Sequence, residues 1–203
     1  MKAKTKLTRL WGFLLSLVML LSLLPTTALA AGSASSVELY NESGKLISLS
    51  NGECLTANGA KNATSYTSGS YVARYASGTL YLNGYQVDVT DGNIFADGDL
   101  NIEVENDSSF TTSTAATGNL YGIRADGGTL TISGSGKLTV TAKGSGNVYG
   151  ISADKGVTIS APLDVKVGKN STTENGPVYG IYTKSGAISL SGAEDKTITA
   201  TGG

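Results

Sequence analysis

A motif of three residues, Tyr-Gly-Ile, recurs in this sequence and constrains the fold more than any other feature. Its copies begin at Tyr121, Tyr149 and Tyr179, at spacings of 28 and 30 residues. The segment 94–98, Ile-Phe-Ala-Asp-Gly, is a weaker and earlier copy, because it matches Ile-Arg-Ala-Asp-Gly at 123–127. Repeats of this length are typical of solenoids, in which each unit forms one turn of a stacked chain.

Each copy is followed by two more short segments in which apolar and polar residues alternate. In the clearest unit the three segments are 121–125, 129–132 and 137–142. Alternation with a period of two predicts β-strands, and the Gly-Gly and Ser-Gly-Ser-Gly sequences between the segments are typical of turns. The sequence therefore predicts an all-β chain with three strands per repeat.

An antiparallel sandwich and a parallel solenoid both accommodate such strands, but the apolar positions of successive repeats favour the solenoid. Strands that stack on their equivalents one turn later bring like residues together, whereas a sandwich has no reason to repeat them. The prediction is a right-handed parallel β-helix of about four coils. Its predicted inner columns are Ile94/Ile123/Ile151/Ile181, Leu130/Ile159/Leu190 and Leu138/Val165/Ile198.

The first thirty residues have the pattern of a secretory signal peptide. Four basic residues before position 10 are followed by the apolar run 10–24 and by Ala-Leu-Ala at 28–30, so we expect cleavage after Ala30. An uncleaved membrane anchor is the alternative, but the run is shorter than the roughly 20 apolar residues that a spanning helix needs. We therefore expect a secreted, extracellular chain that does not span the membrane, with association to the cell surface as a further option.

The remaining chain divides into two regions. Residues 31–77 are less periodic but contain strand-like pieces such as 36–40 and 71–75, and we expect them to form a small N-terminal β cap on residues 78–203, the β-helix. At the other end the pattern stops at 201–203 without a capping element. Two readings stay open: the chain is a fragment of a longer protein, or its last coil associates end to end with another chain.

Composition excludes several classes of function. The chain contains no His and a single cysteine, Cys54, which argues against the usual zinc sites, Ser-His-Asp catalysis and a disulfide within one chain. Beyond Ala30 it has 11 basic and 16 acidic residues, so no basic stripe for nucleic acid is present.

Three segments resemble exported bacterial repeat proteins that are described as carbohydrate-binding-domain-containing proteins with a pectate-lyase-like β-helix. The segments are Thr-Leu-Tyr-Leu-Asn-Gly at 79–84, Ala-Asp-Gly-Asp-Leu-Asn-Ile at 96–102 and Gly-Gly-Thr-Leu-Thr-Ile-Ser-Gly-Ser-Gly at 127–136. The resemblance extends over about residues 36–203. It implies a right-handed parallel β-helix and a polysaccharide or cell-surface glycan as the partner.

The residue that follows each inward isoleucine is predicted to point outward on the same sheet. The predicted column is Phe95, Arg124, Ser152 and Tyr182. By the same parity, the glycines at 122, 150 and 180 would form a floor on this outer face. Aromatic rings stack on sugars and a guanidinium holds hydroxyls or carboxylates, so the column is a candidate sugar groove. The alternative is an exposed surface without a ligand.

The tyrosines of the motif share parity with the isoleucines. Tyr121, Tyr149 and Tyr179 are therefore expected to stack, ring over ring, in the interior or at a corner of the coil. A sugar-binding platform is the alternative role, since Trp11, the only Trp of the chain, lies in the signal peptide.

Three aspartates, Asp97, Asp126 and Asp154, occupy equivalent positions in successive repeats. Carboxylates that stack at strand spacing repel one another, and a bound Ca²⁺ would offset that repulsion. Asp97 and Asp126 each precede a glycine, however, and Asp-Gly pairs are also ordinary turn residues. No other cofactor is expected.

Together with these residues, the resemblance implies a secreted or surface module that binds carbohydrate without catalysis. Two other functions stay open, a purely structural or adhesive repeat scaffold and a pectate-lyase-like polysaccharide lyase. A lyase would use Arg124 beside Asp126 and Asp97, the only arrangement in the sequence that imitates such a site.

Overall fold

The computed structural model describes residues 32–63, 70–171, 173–192 and 195–201. The predicted signal peptide, residues 1–30, lies outside the described residues. Every regular element in the described ranges is a β-strand. The strands are β1 (Ser36–Tyr40), β2 (Leu46–Ser50), β3 (Glu53–Leu55), β4 (Lys61–Ala63), β5 (Ala73–Ala76), β6 (Thr79–Asn83), β7 (Gln86–Thr90), β8 (Ile94–Asp97), β9 (Leu100–Asn106), β10 (Ser108–Thr114), β11 (Leu120–Asp126), β12 (Thr129–Gly134), β13 (Leu138–Gly144), β14 (Val148–Ala153), β15 (Gly156–Ile159), β16 (Leu163–Lys169), β17 (Val178–Thr183), β18 (Ile188–Leu190) and β19 (Lys196–Thr201).

From β6 onward the chain winds as a β-solenoid of about four turns, with three strands in each turn. Sheet 1 contains β6, β9, β12, β15 and β18, sheet 2 contains β7, β10, β13, β16 and β19, and sheet 3 contains β8, β11, β14 and β17. Each strand pairs in parallel with its equivalent one turn later. The predicted all-β parallel β-helix with an N-terminal β cap is confirmed.

The isoleucine column of sheet 3 has the predicted register. Ile123 pairs with Ile94 on one side and with Ile151 on the other, and Ile151 pairs with Ile181. The first three side chains are fully buried, and Ile181 packs against the same core. Because like residues stack directly on one another, the interior is a set of continuous aliphatic columns.

The predicted column of sheet 1 is wrong by two residues. Ile132, not Leu130, pairs with Ile159, which in turn pairs with Leu190. Leu130 pairs with Val157 in a second inner column.

Sheet 2 differs from its prediction in the same way. Leu138 pairs with Leu163, whereas Val140 pairs with Val165 and Val165 pairs with Ile198. A slip of two residues leaves every side chain on the same face, so alternation alone could not detect it. The inward orientation of Leu138 and Leu130 was nevertheless correct, since both are fully buried.

Antiparallel hairpins cover the first coil. In sheet 3, β1 pairs antiparallel with β2 and with β8, and in sheet 1, β3 pairs antiparallel with β4 and β5, while β5 pairs with β6. The first solenoid strands of these two sheets, β8 and β6, are therefore paired with cap strands of opposite direction, whereas β7 begins sheet 2 as an edge strand.

One buried tyrosine, Tyr85, attaches this cap to the solenoid, and a second, Tyr75, ties two segments of the cap together. Tyr85 is fully buried, and its hydroxyl donates to Tyr40 O at 2.7 Å and accepts from Tyr40 N at 3.3 Å. Burial raises the pKa of Tyr85, which keeps the hydroxyl protonated. The hydroxyl of Tyr75, also buried, donates to Ala34 O. These bonds tie segments that are more than forty residues apart in the sequence.

Candidate binding site

The glycines of the Tyr-Gly-Ile motif face the interior, which corrects the prediction of an outer glycine floor. A Cβ at residue 150 would lie 2.5 Å from Val165 Cγ1, on the facing sheet, and 2.6 Å from Gly180 O. A Cβ at residue 122 would likewise lie 2.6 Å from Val140 Cγ1 on the facing sheet. Two successive residues, the glycine and the isoleucine, thus point inward, so the alternation slips by one at this position. The residue before the glycine consequently points outward.

The three motif tyrosines therefore lie on the outer surface of sheet 3. Their rings stack as predicted, with centroids 4.8 Å apart for Tyr121 and Tyr149 and 5.4 Å apart for Tyr149 and Tyr179. Of the two predicted positions, the interior and a corner of the coil, the interior is wrong, because the glycine occupies the inward position. Tyr179, the last ring of the stack, is 40% exposed.

The predicted outer column is in register. Arg124 pairs with Phe95 in one direction and with Ser152 in the other, and Ser152 pairs with Tyr182. Ser152 is buried, so it does not contribute an accessible hydroxyl to the surface. The ring of Tyr182 contacts both Tyr149 and Tyr179, with centroid distances of 5.2 Å.

These observations define a tyrosine face, which consists of Tyr121, Tyr149, Tyr179 and Tyr182. Burial raises the pKa of Tyr149, and the three neighbouring tyrosines raise it further. Its hydroxyl therefore stays protonated at neutral pH and can donate a hydrogen bond.

Arg124 forms the charged border of the tyrosine face. Its guanidinium carbon lies 4.7 Å from the ring centroid of Tyr121 and 5.9 Å from that of Phe95. Arg124 Nη2 also lies 2.8 Å from Asp126 Oδ1, and both side chains are partly exposed. A donor and an acceptor are thus held together beside the aromatic rings.

Two of the three predicted calcium ligands, Asp126 and Asp154, have separate partners. Asp126 pairs with Asp97 along the sheet but contacts Arg124 with its carboxylate, whereas Asp154 accepts a hydrogen bond from Gly127 N at 3.1 Å. Gly127 has a φ of 67°, as a turn residue does. In the described ranges no three acidic, cysteine or histidine residues lie together as a metal site requires. The role of a calcium ion stays a prediction.

An asparagine pair that the sequence analysis missed lies beside the rings. Asn147 Nδ2 donates to Asn119 Oδ1 at 2.8 Å, and Asn119 Nδ2 donates to the Tyr121 hydroxyl at 3.2 Å. The signal was present, because Asn stands two residues before the first two motif tyrosines and Pro177 before the third. These amides add polar groups to one edge of the tyrosine face.

A second aromatic cluster, also missed, lies where the cap meets the solenoid. The Arg74 guanidinium carbon lies 3.9 Å from the ring centroid of Tyr81 and 5.4 Å from that of Tyr71. The Tyr71 hydroxyl donates to Glu105 Oε2 at 2.6 Å. Burial and this hydrogen bond to Glu105 both raise the pKa of Tyr71. The cluster joins β5 to β6 and β9, so we assign it to the attachment of the cap.

The tyrosine face is an open surface. Cavities are present on other parts of the described surface, such as one of about 470 Å³ between Thr141, Lys166 and Thr199, on sheet 2. A second, of about 520 Å³, is lined by Asp107, Lys137 and other residues. An open, flat surface suits an extended ligand better than a small molecule, which is usually enclosed by a pocket.

No protein-family profile matches this chain, and neither the curated proteins nor the solved structures include a significant match to it. Within the described ranges, no helix has the length and apolarity needed to cross a membrane.

Proposed function

We propose that the protein is a secreted or cell-surface module that binds polysaccharide without catalysis. The observation that carries this proposal is the position of the tyrosine face, four aromatic rings on the outer surface of one sheet with the Arg124–Asp126 pair beside them. Clusters that combine exposed aromatic rings with fixed polar groups are the usual means of holding a sugar, which has apolar C–H faces and polar edges.

The rings within the stack cover one another, so they offer different groups to a ligand. Tyr121 and Tyr149 present their edges and hydroxyls, because Tyr149 lies between two rings and Tyr121 lies between Tyr149 and the Arg124 guanidinium. The outer face of Tyr179 is accessible for stacking on a sugar ring. We therefore expect stacking at Tyr179 and hydrogen bonding along the remainder of the row.

Arg124 and Asp126 complete the polar part of the proposed site. The guanidinium donates through its fork of N–H groups, and the carboxylate next to it accepts, so that together they match neighbouring hydroxyls of a sugar. Because the pair is held at 2.8 Å and the guanidinium lies over Tyr121, its orientation is set before a ligand arrives. Preorganisation of this kind lowers the entropic cost of binding.

Binding without catalysis fits the distribution of the carboxylates on this face. Hydrolysis of a glycosidic bond needs an acid and a base on either side of that bond, about 5 to 9.5 Å apart. Asp126 is paired with Arg124, and Asp154 accepts a backbone hydrogen bond from a turn, which supports binding over hydrolysis.

A glycan array with the purified protein, with and without Ca²⁺, tests the proposal. We expect binding to at least one polysaccharide class, and we expect Tyr182→Ala and Arg124→Ala each to weaken it about tenfold, or ~1.4 kcal/mol. Tyr81→Ala is the matched control, because Tyr81 also points outward against an arginine but lies on sheet 1. The Tyr81→Ala variant should bind the glycan with the same affinity as the unmodified protein.

The array separates the alternatives. Absence of binding to any glycan would contradict the proposal and leave a structural or adhesive scaffold. Equal affinity of Tyr182→Ala, Arg124→Ala and the unmodified protein would place the site on another face. Binding that requires Ca²⁺ would support a metal at Asp97, Asp126 and Asp154, and release of unsaturated uronides from pectin, followed by ultraviolet absorbance, would indicate a lyase.

A further inference from the structure

Two phenol rings from successive coils, those of Tyr121 and Tyr149, are held closely together in the middle of the solenoid. Their centroids are 4.8 Å apart and their planes differ by 12°, whereas Tyr149 and Tyr179 are 5.4 Å apart and differ by 19°. On its other side, Tyr121 faces the Arg124 guanidinium. Tyr149 is therefore the ring against which Tyr121 is held.

The backbone fixes the distance between these two rings but leaves their edges accessible. Tyr121 and Tyr149 are partners in the parallel pairing of β11 and β14, and each of these strands is paired on its other side as well. Both side chains are partly exposed. Rotation of a tyrosine ring about its Cβ–Cγ bond is fast at such a surface and leaves the centroid in place. That rotation turns the Cε edge of one ring toward the Cε edge of the other with little movement of the backbone.

Tyrosine is the most easily oxidised accessible side chain in the sequence beyond Ala30. The two methionines and the only tryptophan, which also lose electrons readily, stand at positions 1, 19 and 11, within the predicted signal peptide. The single cysteine, Cys54, is buried. Because oxidation follows exposure, an oxidant that reaches the surface of the secreted chain acts first on its tyrosines.

We propose that Tyr121 and Tyr149 form an oxidative cross-linking site, at which a haem peroxidase and hydrogen peroxide join the two rings as dityrosine. Each phenol gives up one electron to the peroxidase and its proton to water, and the unpaired electron is then shared between Oη and the Cε carbons. A bond forms between one Cε of each ring, and the hydrogen on each bonded carbon passes to the phenol oxygen as the rings become aromatic again. In total the two tyrosines lose two hydrogen atoms, and one hydrogen peroxide is reduced to two waters.

The cross-link would join two coils through residues that are 28 positions apart in the sequence. A covalent link of this kind stabilises a fold mainly because it restricts the unfolded chain, as a disulfide does. The chain has one cysteine and cannot form a disulfide of its own. Since the two rings are already in contact, coupling within one chain should be faster than coupling between chains. The proposed role of the site is therefore to stabilise the solenoid, and it requires no bound glycan.

Oxidation of the dilute, purified protein by a haem peroxidase and hydrogen peroxide tests this inference, with dityrosine fluorescence as the measurement. We expect Tyr121→Phe and Tyr149→Phe each to lower the yield of dityrosine about tenfold, because phenylalanine keeps the stacked ring but has no phenol to oxidise. Tyr81→Phe is the matched control, since Tyr81 is also partly exposed but its ring lies against Arg74 on sheet 1. The yield in this variant should equal that of the unmodified protein.

Tryptic digestion and mass spectrometry locate the bond. We expect peptide 75–124 to be joined to peptide 144–155 with the loss of two hydrogen atoms, and fragmentation to place the link at Tyr121 and Tyr149. The midpoint of urea denaturation should be higher for the oxidised protein than for the untreated protein. In Tyr149→Phe, oxidation should leave the midpoint unchanged.

Several results would overturn the proposal. Links formed mainly between chains, or mainly between peptides 144–155 and 170–184, would show that the Tyr121–Tyr149 pair is not the site. An equal yield from protein unfolded in urea before oxidation would show that the fold does not direct the coupling. An unchanged urea midpoint in the cross-linked protein would contradict the stabilising role.

Discussion

The two ends of the solenoid are built from similar strands but have different surroundings. At the N-terminal end, which we call the closed end, Leu39 and Leu49 of the cap hairpin and Leu55 of β3 fill the core below the first coil and are fully buried. In the last described turn, formed by β17, β18 and β19 and called the open end, residues of the same kind, such as Leu190, are about half exposed. The sequence of a coil therefore does not by itself determine how much that coil contributes to stability, because each coil is buried by its neighbours.

The largest expected effect concerns equivalent aliphatic residues one turn apart. Ile159→Ala should lower the free energy of unfolding by about 2–5 kcal/mol, because Ile159 is fully buried between two coils. Leu190→Ala, in the same column, should cost less than about 1 kcal/mol in the monomer, because its side chain is already partly hydrated. Urea denaturation at low protein concentration measures both values, with Thr158→Ala as an outward-facing control. Equal losses for Ile159→Ala and Leu190→Ala would contradict the proposed difference between the ends.

A smaller loss of stability is expected when the inward-facing glycines are replaced by alanine. Gly150→Ala should cost about 1–3 kcal/mol, because the new Cβ would meet Gly180 O at 2.6 Å and the backbone cannot move far in a middle coil. Gly180→Ala should cost less, because it meets a methyl group of Ile198 on the half-exposed β19, which can shift. Gly168→Ala, whose Cβ would lie 3.6 Å from the nearest atom, serves as the control. The same denaturation experiment ranks the three variants, and a cost at Gly180 as large as that at Gly150 would show that the open end is as rigid as the middle.

The smallest expected effect is a loss of stability at acidic pH in the β3–β4 hairpin of the cap. Lys61 Nζ lies 2.7 Å from Glu53 Oε2, and this contact, followed by the hydrogen bond from Ser50 N, lowers the pKa of Glu53 below its ordinary value of 4.5. The associated stability is present above pH 4.5 and is lost as the pH falls through the lowered pKa. The pair is partly exposed, so we expect a loss below about 1 kcal/mol.

Hydrogen exchange of the β3–β4 amides at pH 6 and pH 3 measures this loss. Acid should increase exchange, relative to the intrinsic rate, in this hairpin and not in β18 or β19. Glu53→Gln should remove the difference between the two pH values. A pH-dependent change that persists in Glu53→Gln would assign the effect to another carboxylate.

The repeat and its strands were predictable because alternation and spacing determine which residues face inward. The isoleucine column was placed in register because Tyr-Gly-Ile marks each turn with a motif that has no near copy within the same strand. In sheet 1, by contrast, Leu130 and Ile132 are both aliphatic and both point inward, so a shift of two residues does not change the alternation of apolar and polar residues. The same holds in sheet 2 for Leu138 and Val140.

The two aromatic clusters, at the candidate site and at the cap, were predicted less well, for two physical reasons. The glycine at 150 has no side chain to reveal its orientation, so the slip in alternation that turns Tyr149 outward could not be read from polarity. The Arg74–Tyr81 cluster depends on the antiparallel pairing of β5 and β6, outside the repeat, and therefore had no second copy for comparison. The register of Phe95, Arg124 and Tyr182 was predicted correctly, because each of them directly follows an isoleucine of the paired column.

The parallel register has a consequence for how such a molecule can change in length. Each coil is hydrogen-bonded only to the coils on either side of it, and the same aliphatic and glycine positions recur in each. Duplication of one repeat in the gene would therefore insert a turn without disturbing the cap, and the solenoid would grow by one strand spacing of about 4.8 Å. Every inserted turn would also add one ring to the tyrosine row, so that the length of this row would increase in step with the number of repeats.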